Sequence, residues 1–386
     1  MTKSKVVVLG AGVAGLRIAK QVSSKIDLDK WEIVLIDEND YHQYLYKIQE
    51  VCNVEYDEKE IIVPIRRVID GRKITFKKAS VQSIDAARKV VVTDSGEEPY
   101  NILAVTLGSH PAYFNIPGIR ENSLTLANYK EAKVLRERIR DLVKAAEGKT
   151  APRIVIGGAG FTGVELAGEL VDSLPVLLRE HNIPKPTPLL TIVEALSTIL
   201  PGWNAELIDR GQKFLQKSGV ELIFNDPIAK VGEDKLEMKS GRVLESDLFI
   251  WTGGVTSDPS CGEGFEFRNR RIVVDSFCRA KGYEDVYVAG DMACATDGGN
   301  IPQPPTAHIA MVQGDIVAHN ITSRILGGKE VEYSFSRVGE IVTLGRGDAV
   351  GDLFGLSFKG GLAKLMKKAV HWWYVFSIGG LGLLFG

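Results

Sequence analysis

Two glycine fingerprints, roughly 150 residues apart, constrain this chain more than any other feature. Gly10-Ala11-Gly12-Val13-Ala14-Gly15 follows the apolar run Lys5-Val6-Val7-Val8-Leu9, and Gly158-Ala159-Gly160-Phe161-Thr162-Gly163 follows Arg153-Ile154-Val155-Ile156-Gly157. An apolar run of this kind ending in G-x-G-x-x-G reads as a strand that turns sharply into a helix. The first glycine permits the tight turn. The second lets the backbone approach a pyrophosphate, and the third lets helix and strand pack closely. A pyrophosphate then lies against the helix N-terminus, where free N–H groups and the helix dipole favour negative charge. The next strand should end in an acid that holds a ribose hydroxyl. Trp31-Glu32-Ile33-Val34-Leu35-Ile36 ends in Asp37, and Pro188-Leu189-Leu190-Thr191-Ile192-Val193 ends in Glu194. A single such turn also has a bare strand–helix connection with no ligand as its lesser alternative. Two complete copies, each with strand, helix and acid, imply two bound dinucleotides and electrons passed between them.

The chain has 386 residues, 45% hydrophobic and 25% charged, enough for two or three domains around packed cores. Its formal net charge of −2 gives no reason to expect a nucleic-acid partner. The four cysteines, Cys52, Cys261, Cys278 and Cys294, include no C-x-x-C pair. That spacing argues against a disulfide framework, a zinc site or a dithiol centre, and each reads as a small buried residue. The six histidines show no metal-ligand spacing, so no metal is expected. The first apolar run, Val6–Leu9, flows directly into the first fingerprint with no signal peptide, which points to the cytoplasm. No apolar stretch reaches the length of a spanning helix.

Along the chain, Asp247–Gly254 repeats the pattern of Ile102–Ser109, an apolar strand ending in small residues. Further on, Val286-Tyr287-Val288-Ala289-Gly290-Asp291 reads as a strand ending in Gly-Asp, and Pro304–Ala310 opens a helix running to about Ile325. The expected fold is α/β, with two Rossmann-like dinucleotide-binding domains. The first is split between residues 1–117 and 240–328, the second spans 118–239, and a C-terminal region covers 329–386. In that tail, Leu362, Leu365, Met366, Ala369, Trp372, Trp373 and Phe376 fall at helical spacing, with Lys364, Lys367, Lys368 and His371 on another face. An uncharged run, Ile378–Phe385, follows. A basic face opposite a tryptophan-rich face suits a helix lying in a membrane interface, and cover for the protein's own core or a dimer contact is the alternative.

Taken together, these motifs resemble the two-dinucleotide flavoprotein reductases and, more narrowly, the type II NADH dehydrogenases, the single-subunit NADH:quinone oxidoreductases. The general likeness is carried by Gly10–Gly15, Asp37, Leu107-Gly108-Ser109, Gly158–Gly163 and Gly290-Asp291. The narrower one is carried by Gly160-Phe161-Thr162-Gly163-Val164-Glu165-Leu166-Ala167-Gly168-Glu169-Leu170, Thr306-Ala307-His308 and Gly361–Met366 with the aromatic tail. The resemblance implies FAD on Gly10, Gly12, Ala14 and Gly15, with Asp37 on its ribose and Val81, Gly108, Gly290, Asp291 and Ala307 along the remainder. It implies NADH on Gly158, Gly160, Phe161, Thr162 and Gly163, with Glu194 on the adenine ribose and Gly253 and Gly254 beside the nicotinamide half. A carboxylate at Glu194 repels a 2′-phosphate, which favours NADH over NADPH.

The glutamate matching Glu165 would act electrostatically or by handling a proton near the flavin; a solvent-exposed helix-dipole partner is the other reading of it. The family usually shows Ala-Gln-x-Ala-x-Gln at the later helix start, where this chain has Ala307-His308-Ile309-Ala310-Met311-Val312 followed by Gln313. His308 could still donate to a quinone carbonyl, or serve only in packing or capping. The loop Tyr41–Tyr46 lacks the proline often found there. The expected reaction is FAD-dependent oxidation of NADH with two-electron reduction of a membrane quinone and no proton pumping, by a peripheral enzyme on the cytoplasmic face of the cell membrane, with a homodimer as a further option. The rival readings are a sulfide:quinone oxidoreductase, a reductase of a soluble redox partner and a non-catalytic redox sensor.

Overall fold

The computed structural model describes residues 3–296, 302–335 and 338–384. It contains two five-stranded parallel sheets built to one plan. In the first, the strand order is Val286–Val288, Ile102–Val105, Ser4–Leu9, Trp31–Asp37 and Thr75–Lys78. In the second it is Leu124–Thr125, Leu248–Trp251, Ile154–Gly157, Leu190–Val193 and Val220–Ile223. Each fingerprint strand sits in the middle of its sheet. Val6 to Leu9 and Ile154 to Gly157 are buried on both faces, as parallel strands between helical layers must be.

The pairing of Leu248–Trp251 with Ile154–Gly157 corrects the expected boundary at residue 240. A strand buried in the second sheet cannot belong to the first unit, so the second unit runs through Trp251. The chain crosses between units at a two-stranded antiparallel link, His110–Pro111 with Val255–Thr256. The first unit then resumes and closes with the helix Ala307–Leu326. That helix packs on the first fingerprint helix, Val13–Ser23, so closely that a Cβ on Gly314 would lie 3.1 Å from the Ala14 Cα.

The C-terminal region staples the two units together. A three-stranded antiparallel sheet, Gly339–Leu344, Asp348–Leu353 and Leu356–Lys359, sends Val342, Leu344 and Val350 into the core of the second unit. The tail helix, Gly360–Gly379, sends Tyr374, Val375 and Ile378 into the core of the first. A stripe of its larger apolar residues is not covered: Leu362, Leu365, Trp372, Trp373 and Phe376 are 50–58% exposed, while Ala363 is buried. The helix thus turns its lysine face toward the protein and its tryptophan stripe outward. Phe385 lies outside the described residues. Among the described residues no helix is long and apolar enough to cross a membrane.

Candidate functional site

The two fingerprint turns superimpose in their chemistry residue for residue. Gly10 takes φ +91° and Gly158 φ +102°, in the left-handed region that glycine tolerates. A Cβ on Gly15 would stand 1.8 Å from the Gly10 carbonyl oxygen, and one on Gly163 would stand 2.0 Å from that of Gly158. The middle glycines differ from these in kind. Around a Cβ on Gly12 or Gly160 nothing lies within 4 Å, so these positions are open for a ligand and not for packing. Each acid closes its own turn. The Asp37 carboxylate accepts from the amides of Ala11 (2.7 Å) and Asn39 (2.7 Å), and Glu194 accepts from those of Ala159 (2.7 Å) and Leu196 (2.9 Å). Burial raises the Asp37 pKa, and the two amide hydrogen bonds oppose that rise.

A threonine completes each turn. Thr106 Oγ1 donates to the Leu9 carbonyl (2.6 Å), and Thr252 Oγ1 donates to the Gly157 carbonyl (3.0 Å). Neither stood out in the sequence, although both directly follow the repeated strands and that repeat was the available signal. Beyond them, Gly108 and Gly254 take positive φ, and a Cβ on Gly253 would strike the Trp251 ring at 2.2 Å. Val81 begins a strand two residues past Ala79, whose amide donates to the Asp37 carbonyl at 2.9 Å. Phe161 and Thr162 form the first turn of the helix Phe161–Glu180, with Phe161 edge-on to Trp203.

At the mouth of the first unit, Ser109 Oγ donates to Asp291 Oδ2 (2.6 Å) and the Gly290 amide donates to Gln313 Oε1 (2.7 Å). Two buried donors near this point lack a protein acceptor among the described residues, Gln313 Nε2 and Arg271 Nη2. Arg271 Nε donates to the Asp291 carbonyl (3.1 Å), and burial pulls its pKa below the usual guanidinium value. Open glycine turns at helix N-termini, a ribose-height acid and orphaned donors beside Asp291 fit a bound dinucleotide with a long polar body.

Glu165 is buried and is not a solvent-facing dipole partner. Its Oε1 accepts from the Thr343 amide (2.9 Å) and hydroxyl (3.0 Å), and the carboxylate is ion-paired with Lys367 of the tail helix. One helical turn further on, buried Glu169 accepts from Asn53 Nδ2 (2.7 Å). Burial raises the Glu169 pKa to about 7, and the Asn53 hydrogen bond opposes the shift. Glu169, Lys367, Glu50 and His371 line a cavity of about 500 Å³ between the tail helix, the segment Leu45–Cys52 and Thr343–Arg346. Sequence reasoning missed Glu169, Thr343 and Lys367. The i, i+4 spacing of Glu165 and Glu169 was the only local hint, since the other two arrive from 178 and 202 residues away.

The tail also reaches the first turn. His42 Nδ1 lies 2.9 Å from the Ala11 carbonyl, which can only accept, so the ring carries its proton there and Nε2 accepts from the Tyr374 hydroxyl (3.0 Å). Burial lowers the His42 pKa to about 4 and keeps the ring neutral. His308 occupies the first turn of the helix Ala307–Leu326, half-buried against the Phe335 ring at 5.4 Å. Ala307 is exposed beside it, and Thr306 caps the helix by accepting from the Ile309 amide.

A family profile for pyridine nucleotide-disulphide oxidoreductases matches residues 4–314. The type II NADH:quinone oxidoreductase of Staphylococcus saprophyticus is 33% identical over 393 residues, spanning 99% of this chain and 98% of that protein. That of Staphylococcus aureus is 34% identical over 394 residues with the same coverage. Among solved structures, NDH2 of Plasmodium falciparum in complex with NADH superimposes with a TM-score of 0.83 at 15% identity, over 99% of this chain and 97% of that one. The sulfide:quinone oxidoreductase of Aquifex aeolicus gives 0.79 at 18%, over 97% and 91%. The glycine turn present in two copies, the profile match over residues 4–314 and full-length matches at 33–34% identity place the chain in the pyridine nucleotide-disulphide oxidoreductase family and, within it, among the type II NADH:quinone oxidoreductases.

Proposed function

We propose that the first turn holds FAD, that the second receives NADH, and that the chain oxidises NADH and reduces a quinone at a membrane surface. The duplicated turn carries this reading: each unit has its own open middle glycine, closing acid and threonine brace, and a strand pair joins the two. Gly10, Gly12, Ala14, Gly15, Asp37, Val81, Gly108, Gly290, Asp291 and Ala307 are assigned to FAD. Gly158, Gly160, Phe161, Thr162, Gly163, Glu194, Gly253 and Gly254 are assigned to NADH. Glu194 spends its carboxylate on two amides at the ribose position, where a 2′-phosphate would meet like charge.

When bound, FAD supplies the two-electron chemistry, taking hydride from the nicotinamide and giving both electrons to a quinone. NADH, one proton and a quinone become NAD⁺ and a quinol, so the protein must admit one proton per turnover. Glu169 suits that task, since it lines the cavity and burial raises its pKa to about 7. Lys367 and Thr343 hold Glu165 in one orientation beside it. His308 is assigned to the quinone side as a hydrogen-bond donor.

The outward tryptophan stripe of the tail helix is read as the membrane contact, on the cytoplasmic face, with a second copy of the chain as the competing occupant. A sulfide-oxidising role finds little support in the thiols. Cys52, Cys261 and Cys278 lie in three separate cores, and burial pushes their pKa values up to about 12, 11 and 12. Steady-state assays of the purified flavoprotein with a short-chain quinone, using NADH, NADPH or sulfide as reductant, test the reading. NADH should give turnover well above the other two, and turnover with sulfide in place of NADH would overturn it.

A further inference from the structure

Where the tail helix meets the first unit, a concavity of about 680 Å³ carries an unbalanced charge. Lys20, Arg66, Arg67 and Arg72 line it, and Asp70 is the only acid among its lining residues. The hydrogen bonds of the arginines go to main-chain carbonyls: Arg67 Nη2 donates to Gly382 (3.4 Å) and Arg72 Nη1 to Lys20 (3.2 Å). Arg66, Arg67 and Arg72 are otherwise exposed, whereas Lys20 is only 9% exposed. Burial first, then the like charges of Arg72 and Arg17, pull the Lys20 pKa down to about 8. Four cations gathered around one space repel one another, and an anion between them would relieve that repulsion.

The remaining wall is apolar. Phe376 and Leu383 face the same space across the glycines at 379, 380 and 382. Phe376 also belongs to the exposed stripe of Leu362, Leu365, Trp372 and Trp373, and Leu381 beside it is 64% exposed. A cationic hollow that opens onto an apolar strip has the layout of a membrane interface, with charge at headgroup depth and rings at acyl depth. A soluble phosphate would match the cations but would leave the apolar wall without a partner.

We propose that the hollow formed by Lys20, Arg66, Arg67 and Arg72 is a headgroup site for an anionic membrane lipid, with its phosphate among the guanidinium groups and the start of its acyl chains against Phe376 and Leu383. This rests on the membrane reading of the tail and adds a lipid preference to it.

Flotation of the holoenzyme with vesicles of phosphatidylcholine, and of phosphatidylcholine mixed with phosphatidylglycerol, tests the site. The combined variant Arg66→Gln/Arg67→Gln/Arg72→Gln is compared with the charge-matched control Lys130→Gln/Arg138→Gln/Lys144→Gln. Wild type and control should prefer the phosphatidylglycerol vesicles. The arginine variant should lose roughly fivefold in that preference per cation removed at low salt, keep its binding to phosphatidylcholine and keep its rate with a water-soluble quinone. An undiminished preference in the arginine variant, or an equal loss in the control, overturns the site. Binding to phosphatidylcholine without any lipid preference overturns the site alone, while binding to neither vesicle overturns the membrane reading with it. Titration of inorganic phosphate into the vesicle-free holoenzyme, at ionic strength matched with chloride, separates the two sources. Wild type should bind it no more tightly than the arginine variant, and tighter, arginine-dependent binding of free phosphate would make the ligand a soluble phosphate and overturn the lipid assignment.

Discussion

Replacing Gly160 by alanine separates binding from folding at the second turn. The residue has φ −71° and an alanine Cβ there meets no atom within 4 Å, so the fold accepts the methyl group. Gly160 is the N-cap of its helix, and alanine caps less well than glycine, which costs about 1 kcal/mol at most. The same methyl points into the space where the pyrophosphate would approach the backbone. Losing one or two hydrogen bonds to a charged group costs about 2–4 kcal/mol, equivalent to a roughly 30- to 700-fold rise in the NADH KM. Flavin content should not change. Gly12→Ala is the mirror experiment: a large loss of retained flavin, with a melting temperature matching that of the wild-type apoprotein. Gly163→Ala is the contrast, because its Cβ would sit 2.0 Å from the Gly158 carbonyl oxygen and the turn cannot form. Thermal melts, flavin-to-protein ratios and steady-state KM values on the three variants give the answer. A normal NADH KM in Gly160→Ala, or loss of flavin from that variant, would refute the assignment of the two turns.

Three further outcomes are expected. Lys367→Met strands the buried Glu165 carboxylate and should destabilise the protein by about 3 kcal/mol in denaturant unfolding, with most of that recovered when Glu165→Gln is added; no recovery in the double variant would contradict the ion pair. Glu169 has its pKa raised to about 7 in the fold, so its contribution is fully present below the unfolded carboxylate pKa and is lost as pH rises through 7; Glu169→Gln should therefore gain stability relative to wild type from pH 5 to pH 8, by on the order of 3 kcal/mol, and a difference that does not vary with pH in unfolding at both values argues against the buried carboxyl. Tyr374→Phe leaves His42 Nε2 buried without its donor and should cost about 1–3 kcal/mol, read as a lower denaturation midpoint, whereas an unchanged midpoint would show that the tail is not latched to the first turn in this way.

What the sequence disclosed and what it withheld divide along a physical line. Turn chemistry is local, so Gly10–Gly15, Asp37, Gly158–Gly163 and Glu194 could be read from spacing alone, and each acid does close its turn. The tail helix was also legible from its period, but not which face it buries, because both faces offer a plausible partner and only the packed core decides. The boundary at 240 failed for a related reason. Leu248–Trp251 is an apolar strand that either sheet could have taken, and its pairing partner lies nearly a hundred residues earlier. Lys367 and Thr343 reach Glu165 across still greater separations, and a polar residue's long-range partner leaves no periodic trace. Thr106 and Thr252 were legible in principle, since each follows a repeated strand, and only the duplication viewed in three dimensions gives them their meaning.

The central claim is that electrons enter from NADH at the second unit, pass through a flavin in the first and leave to a quinone. Anaerobic rapid mixing of the holoprotein with NADH, followed by a short-chain quinone, tests this with flavin absorbance as the readout. The account predicts rapid bleaching by NADH and full recovery on addition of the quinone. A flavin that bleaches slowly or not at all with NADH, or that stays bleached when the quinone is added, would contradict it.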